Sequence, residues 1–139
     1  MALVKPGWKI AVAVRDDLAV WQKLNVTAFV ISGIGTGEPE LIGEDYVDGS
    51  GRAYLPMLGI PVLVFVGDAT GVRRAFDRAL ARDLMLSVYT EDLFTTGNDV
   101  DNRAAVAGVA TDDLIVAGFS VAGDGKQVDK VFDRLKFHP

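Results

Sequence analysis

The unbroken apolar run Pro61-Val62-Leu63-Val64-Phe65-Val66 constrains this chain more than any other segment. A strand with one wet face alternates apolar and polar residues, so a continuous run needs cover on both faces. Lys9-Ile10-Ala11-Val12-Ala13-Val14-Arg15 is a second such strand, closed by Asp16-Asp17, and Leu84 to Tyr89 and Leu114 to Val121 are two more. Between them the pattern turns helical. Apolar residues at 72, 75, 76, 79 and 80 form the i, i+3, i+4, i+7, i+8 stripe of a helix laid on a sheet. Asn98 to Ala110 predicts another helix, with Val106 and Val109 inward, and Gly125 to Leu135 a last one carrying Val128, Val131, Phe132 and Leu135. Strands alternating with helices predict an α/β fold, three layers deep (α/β/α), around a mixed, mostly parallel sheet of about four strands.

The helix predicted from Leu18 to about Ile34, with Asp17 as its N-cap, is different. Val20, Leu24, Ala28 and Ile31 lie on one side of it, and Val26, Phe29 and Val30 on others. A helix apolar on more than one face needs more than one packing surface, and a second subunit can supply one. A homodimer is therefore expected. Further on, Asp48-Gly49-Ser50-Gly51 between Tyr46-Val47 and Ala53-Tyr54 predicts a hairpin turn. No repeat or linker interrupts the 139 residues, which read as one domain over 1–139.

Composition removes whole classes of chemistry. With no cysteine, disulfides, thiolate nucleophiles and cysteine zinc sites are excluded. The single histidine, His138, allows neither a histidine dyad nor a multi-histidine metal site within one chain. No metal or other cofactor is expected. Met1 to Trp8 shows no apolar core or cleavage signal, and no run approaches the ~20 residues of a bilayer span, so a cytoplasmic protein with no membrane partner is expected. The net charge of −5 opposes tRNA or any phosphate backbone. Arg74, Arg78 and Arg82 recur at i, i+4, i+8, but Asp77 and Asp83 stand beside them, so the stripe reads as a solvated helix face. Gly33-Ile34-Gly35-Thr36-Gly37 follows a helix rather than a strand, so it reads as helix termination and not a dinucleotide loop. Asp99-x-Asp101-Asn102 lacks the glycine and closing glutamate of a calcium loop and reads as helix capping.

Val14-Arg15-Asp16-Asp17-Leu18 followed by Lys23, then the strand-turn-helix of Val64 to Leu84, then Val128-Asp129-Lys130-Val131 and Leu135-Lys136-Phe137, resemble the framework of the type II peptidyl-tRNA hydrolases. That resemblance implies a peptidyl-tRNA hydrolase II-like fold and a functional lysine at Lys23. Trp21 to Phe29, Tyr54-Leu55-Pro56 and Tyr89-Thr90-Glu91 resemble more closely an uncharacterised bacterial family, domain of unknown function two-thousand, grouped with the same fold. The hydrolase site is matched in part. Thr27 and Val30 stand where that family has glutamine and histidine, and Glu91-Asp92-Leu93-Phe94-Thr95-Thr96 keeps only the charge and hydroxyl of its loop.

Ligands of open α/β sheets bind beyond the C-terminal ends of strands, where Lys23, Thr90 and Glu91 all fall. A lysine beside a carboxylate and hydroxyls holds an anion or polarises water. Lys23, Glu91 and Thr95 are thus the candidate catalytic residues, with Lys23 expected within about 4 Å of Glu91 or else of Asp17. Asn25, Thr27, Thr90 and Thr96 are the candidate ligand-binding residues. Polar side chains such as Asn25 and Thr27 on an apolar helix either reach a pocket or satisfy backbone. Two functions stay open: hydrolysis of an ester or amide in a Lys/Glu/Thr pocket, or non-catalytic binding of a small anion or a protein partner.

Overall fold

A computed structural model describes residues 5–139. The reading of the first residues as free of a signal segment concerns in part Met1–Val4, which lie outside the described residues. The elements follow in order: β1 (Trp8–Arg15), α1 (Val20–Gly37), the hairpin β2 (Tyr46–Val47) and β3 (Ala53–Tyr54), β4 (Val62–Gly67), α2 (Ala69–Leu80), β5 (Met85–Thr90), α3 (Asp99–Ala107), β6 (Val116–Asp124), α4 (Gly125–Phe132) and β7 (Lys136–Phe137). Five of these strands form one mixed sheet, in the order β5-β6-β1-β4-β7.

Strand β1 lies at the centre, and its side chains alternate between two cores. Ala11 and Ala13 meet Val72, Ala75, Phe76 and Ala79 of α2 and Val128, Val131 and Phe132 of α4. On the opposite face Val12 and Val14 meet Val26 and Val30 of α1, while Ile10 meets Ile34. Small residues under two helices and larger ones under one let both layers approach the same strand. The α/β/α layering follows.

The sheet differs from the expected one in strand number and direction. It has five strands, and β1–β4, registered from Ile10↔Val62 to Arg15↔Gly67, is its single parallel pair. Strand β6 runs antiparallel to both β1 and β5, and β7 antiparallel to β4. The physical reason lies in the connections. Because β6 opposes both β1 and β5, those two share a direction, which is also that of β4. The chain therefore crosses the sheet between β1, β4 and β5, as a helical crossover requires. After β5 it does not cross. The turn at Glu91–Thr95, α3 and a second turn at Thr111–Asp113 stay at the rim where β5 ended, so β6 starts there and runs back.

Other boundaries were also displaced. Helix α1 begins at Val20 rather than Leu18, and Gln22 Oε1 caps it by accepting from the Ala19 amide. Asp17 is occupied elsewhere. Gly33 and Gly35 lie within the helix, which ends at Gly37. At Gly33 a Cβ would stand 2.8 Å from Ser87 Oγ, so glycine lets α1 lie close on β5. Asn98, not Asp99, caps α3, its Oδ1 accepting from the Asp101 amide. The arginine stripe is not simply solvated either. Arg78 donates to the carbonyls of Val131 and Asp133, closing the C-terminus of α4, and Arg82 donates to the Arg78 carbonyl; Arg74 is exposed.

Candidate functional site

Strand β1 ends in a charge that cannot leave the protein. The Arg15 side chain is 10% exposed, and its guanidinium donates from Nε to Asp17 Oδ1 (2.9 Å) and from Nη2 to Asp17 Oδ2 (2.6 Å). Its Nη1 donates to Glu91 Oε2 at 2.8 Å. A planar fork with five donors can hold one carboxylate bidentately and still reach a second, which a point-like ammonium cannot. The guanidinium therefore ties the end of β1 to the turn that follows β5. The hydrogen bonds from Arg15 hold the Asp17 carboxyl below its usual range, against a smaller opposing push from burial. The same bonds stabilise the charged guanidinium.

This arrangement overturns the expected Lys23–Glu91 pair. Glu91 belongs to Arg15, and among the described residues Lys23 has no carboxylate within ion-pair distance. Lys23 instead points along the other side of α1, where its Nζ lies 3.4 Å from His138 Nε2. The His138 amide donates to the Val64 carbonyl, extending the β4–β7 pairing by one residue and bringing the imidazole beneath α1. Around the pair is a cavity of about 520 Å³, walled by Val14, Val20, Leu24, Ala28 and Val64. Thr27 also lines it, but its hydroxyl donates to the Lys23 carbonyl at 2.8 Å.

Asn25 and Thr96 are in a different place. They line a second cavity, of about 410 Å³, with Trp21, Phe29, Tyr89 and Phe94. Trp21, Asn25 and Phe29 share one face of α1 at i, i+4, i+8, whereas Val20, Lys23, Leu24 and Thr27 share another. Helix α1 thus separates what was expected to be one pocket. Thr95 joins neither cavity; it is exposed and donates to the Asp92 carbonyl. Thr90 is 2% exposed, and its hydroxyl has no partner among the described residues. The expected catalytic set of Lys23, Glu91 and Thr95 is therefore not assembled. No three metal-ligating side chains gather among the described residues.

Arg15, His138 and Tyr89 were missed as site residues. For Arg15 a signal existed: a charge closing an apolar strand must find partners if the strand is central. His138 offered none, because its position depends on the pairing of a two-residue strand with a remote one.

The family described as "protein of unknown function (DUF2000)" matches residues 8–139. The chain is also similar to a solved protein of unknown function from Agrobacterium tumefaciens, with 44% identity over 96% of this chain and 98% of that one and a TM-score of 0.92. No curated protein matches the chain.

Proposed function

The chain belongs to the DUF2000 family, and we propose that it binds a small amphipathic anion at Lys23. One observation carries this reading: an ammonium group with no carboxylate within ion-pair distance among the described residues stands in a cavity whose other walls are mostly aliphatic. Aliphatic walls favour an alkyl or aryl tail, and the ammonium favours a carboxylate or phosphate at its end. His138 Nε2 faces Lys23 Nζ at 3.4 Å, so the imidazole helps to position the ammonium that meets the anion. Calorimetric titration with straight-chain carboxylates of increasing length tests the idea. Affinity is expected to rise about fourfold per methylene until the cavity is full. Lys23→Ala should abolish binding and leave the fold intact. Affinity independent of chain length, or full binding by Lys23→Ala, would overturn the proposal.

Ester or amide hydrolysis is the second reading, and the Lys23–His138 contact is what favours it. His138 would take a proton from a water attacking the bound acyl group and return it to the alcohol or amine that departs as the acyl bond breaks, while Lys23 would hold the developing oxyanion. Glu91 and Thr95 have no part in this version. Nitrophenyl esters of the same acids distinguish the two: turnover lost in His138→Ala supports hydrolysis, and binding without turnover supports a binding protein.

The wider framework is proposed on the same footing. Kinship with the peptidyl-tRNA hydrolase II-like fold is supported by motif order: Val14-Arg15 closes the central strand, Lys23 is on the next helix, and Val128 to Val131 is on the last. The charge of −5 argues against tRNA as the substrate. No helix among the described residues is long and apolar enough to cross a membrane. With the absence of cysteine, this supports a cytoplasmic location. A homodimer is supported by exposed apolar side chains on the β2–β3 hairpin and just after it, Val47, Tyr54 and Leu55 among them.

A further inference from the structure

We infer that the second cavity, on the opposite side of α1 from Lys23, is a cage for a small alkylated ammonium ion of choline size. Four aromatic rings line it, Trp21, Phe29, Tyr89 and Phe94. Their mutual geometry selects the ligand. Trp21 and Phe94 stand 6.1 Å apart at 77°, Phe29 and Tyr89 6.0 Å apart at 64°, and Tyr89 and Phe94 5.0 Å apart at 50°. A flat heteroaromatic ligand needs two nearly parallel rings separated by two stacking distances. These rings meet at steep angles and form corners, which suit a compact, rounded group touching several ring faces. A cation gains from such faces through the ring quadrupoles, most of all from a tryptophan.

The surrounding charge has the same sign preference. Residues 89–103 contain Glu91, Asp92, Asp99 and Asp101 against one cation, Arg103, and Glu91 is itself paired with Arg15. Asp99 itself lines the cavity. Its ion pair with Arg103 is three-quarters exposed on both sides, so the Asp99 carboxylate is only weakly committed. At the closed end, Tyr89 is 5% exposed and lends its ring and hydroxyl to the floor. The Asn25 amide reaches that hydroxyl only at 3.5 Å, leaving it available to a hydroxyl on the ligand. Trp21, 61% exposed, forms the open side. An acid, which the Lys23 cavity suits, would be repelled here.

The test is a titration of the intact, isotopically labelled protein with choline and with its uncharged isostere 3,3-dimethylbutanol, followed by nuclear magnetic resonance. Choline should move the Trp21 indole and the Asn25 side-chain amide saturably, leaving the Trp8 indole in place. The isostere should bind at least about tenfold more weakly, the difference being the charge over the rings. Trp21→Leu and Phe94→Leu, each with an otherwise preserved spectrum, should lose the response, and Asp99→Asn should weaken it. Lys23→Ala should leave it unchanged, which separates this site from the anion cavity. Equal affinity for choline and the isostere, or no saturable shift, would overturn the inference.

Discussion

Arg15 shows how much one buried charge organises. A guanidinium at the end of a central strand costs several kcal/mol to desolvate unless carboxylates meet it. Asp17 meets it from the turn after β1, and Glu91 from the turn after β5. Arg15→Ala should destabilise the protein by about 1–3 kcal/mol in urea titration, and Arg15→Lys should not restore the loss, because an ammonium cannot replace the bidentate fork. A pH dependence follows from Asp17. Its folded pKa lies below the unfolded value, so its stabilising contribution is complete above about pH 4 and is lost as pH falls through the folded pKa. The Asp17 side chain is 56% exposed, so solvent screening keeps the effect below about 1 kcal/mol. Asp17→Asn should flatten the acid limb of the stability curve by that amount. At this scale the residue types were legible and their partners were not. Lys23 could be identified as a candidate cation, yet its neighbour His138 lies 115 residues away in sequence.

At the scale of elements, the strands and helices were readable because each carries its own periodicity. The stripe through Val72, Ala75, Phe76 and Ala79 is the buried face of α2, and the apolar runs are the sheet strands. Caps were less readable where a side chain had a stronger competitor: Asp17 is drawn to Arg15, leaving Gln22 to cap α1. Where no competitor exists the local rule holds. Asp68 Oδ1 accepts from the Gly71 amide at 2.7 Å, and Asp68→Ala should cost about 1 kcal/mol of stability, measurable by thermal or urea unfolding. The contact of α1 with β6 depends on one missing atom. A Cβ at Gly118 would lie 2.6 Å from Val26 Cγ1 and 2.7 Å from the Ala13 carbonyl oxygen. The valine could turn, but the carbonyl belongs to the central strand. Gly118→Ala should therefore cost about 1–3 kcal/mol, toward the upper end, in the same assay.

The whole molecule leaves an apolar surface uncovered. Leu55 is 84% exposed and Val47 62%, beside Tyr46 and Tyr54 on the hairpin. If a second copy covers this ribbon, sedimentation at micromolar concentration should give twice the 14.9 kDa subunit mass, and Leu55→Asp should return a monomer; a single 14.9 kDa species for the unmodified protein would exclude the dimer. Sequence alone determined the α/β class, the positions of the main strands and helices, the missing cysteine chemistry and the candidacy of Lys23. The first three depend on local periodicity and composition, and the last on a resemblance of motifs, all of which a chain carries without being folded. Tertiary structure decided the direction of β6, the capture of Glu91 by Arg15, the meeting of Lys23 with His138 and the division of one expected pocket into two. Each of these is set by which segments become neighbours across the sheet and on which side of α1 a side chain emerges. Such neighbours are chosen by packing the whole core at once, and no single stretch of sequence encodes them.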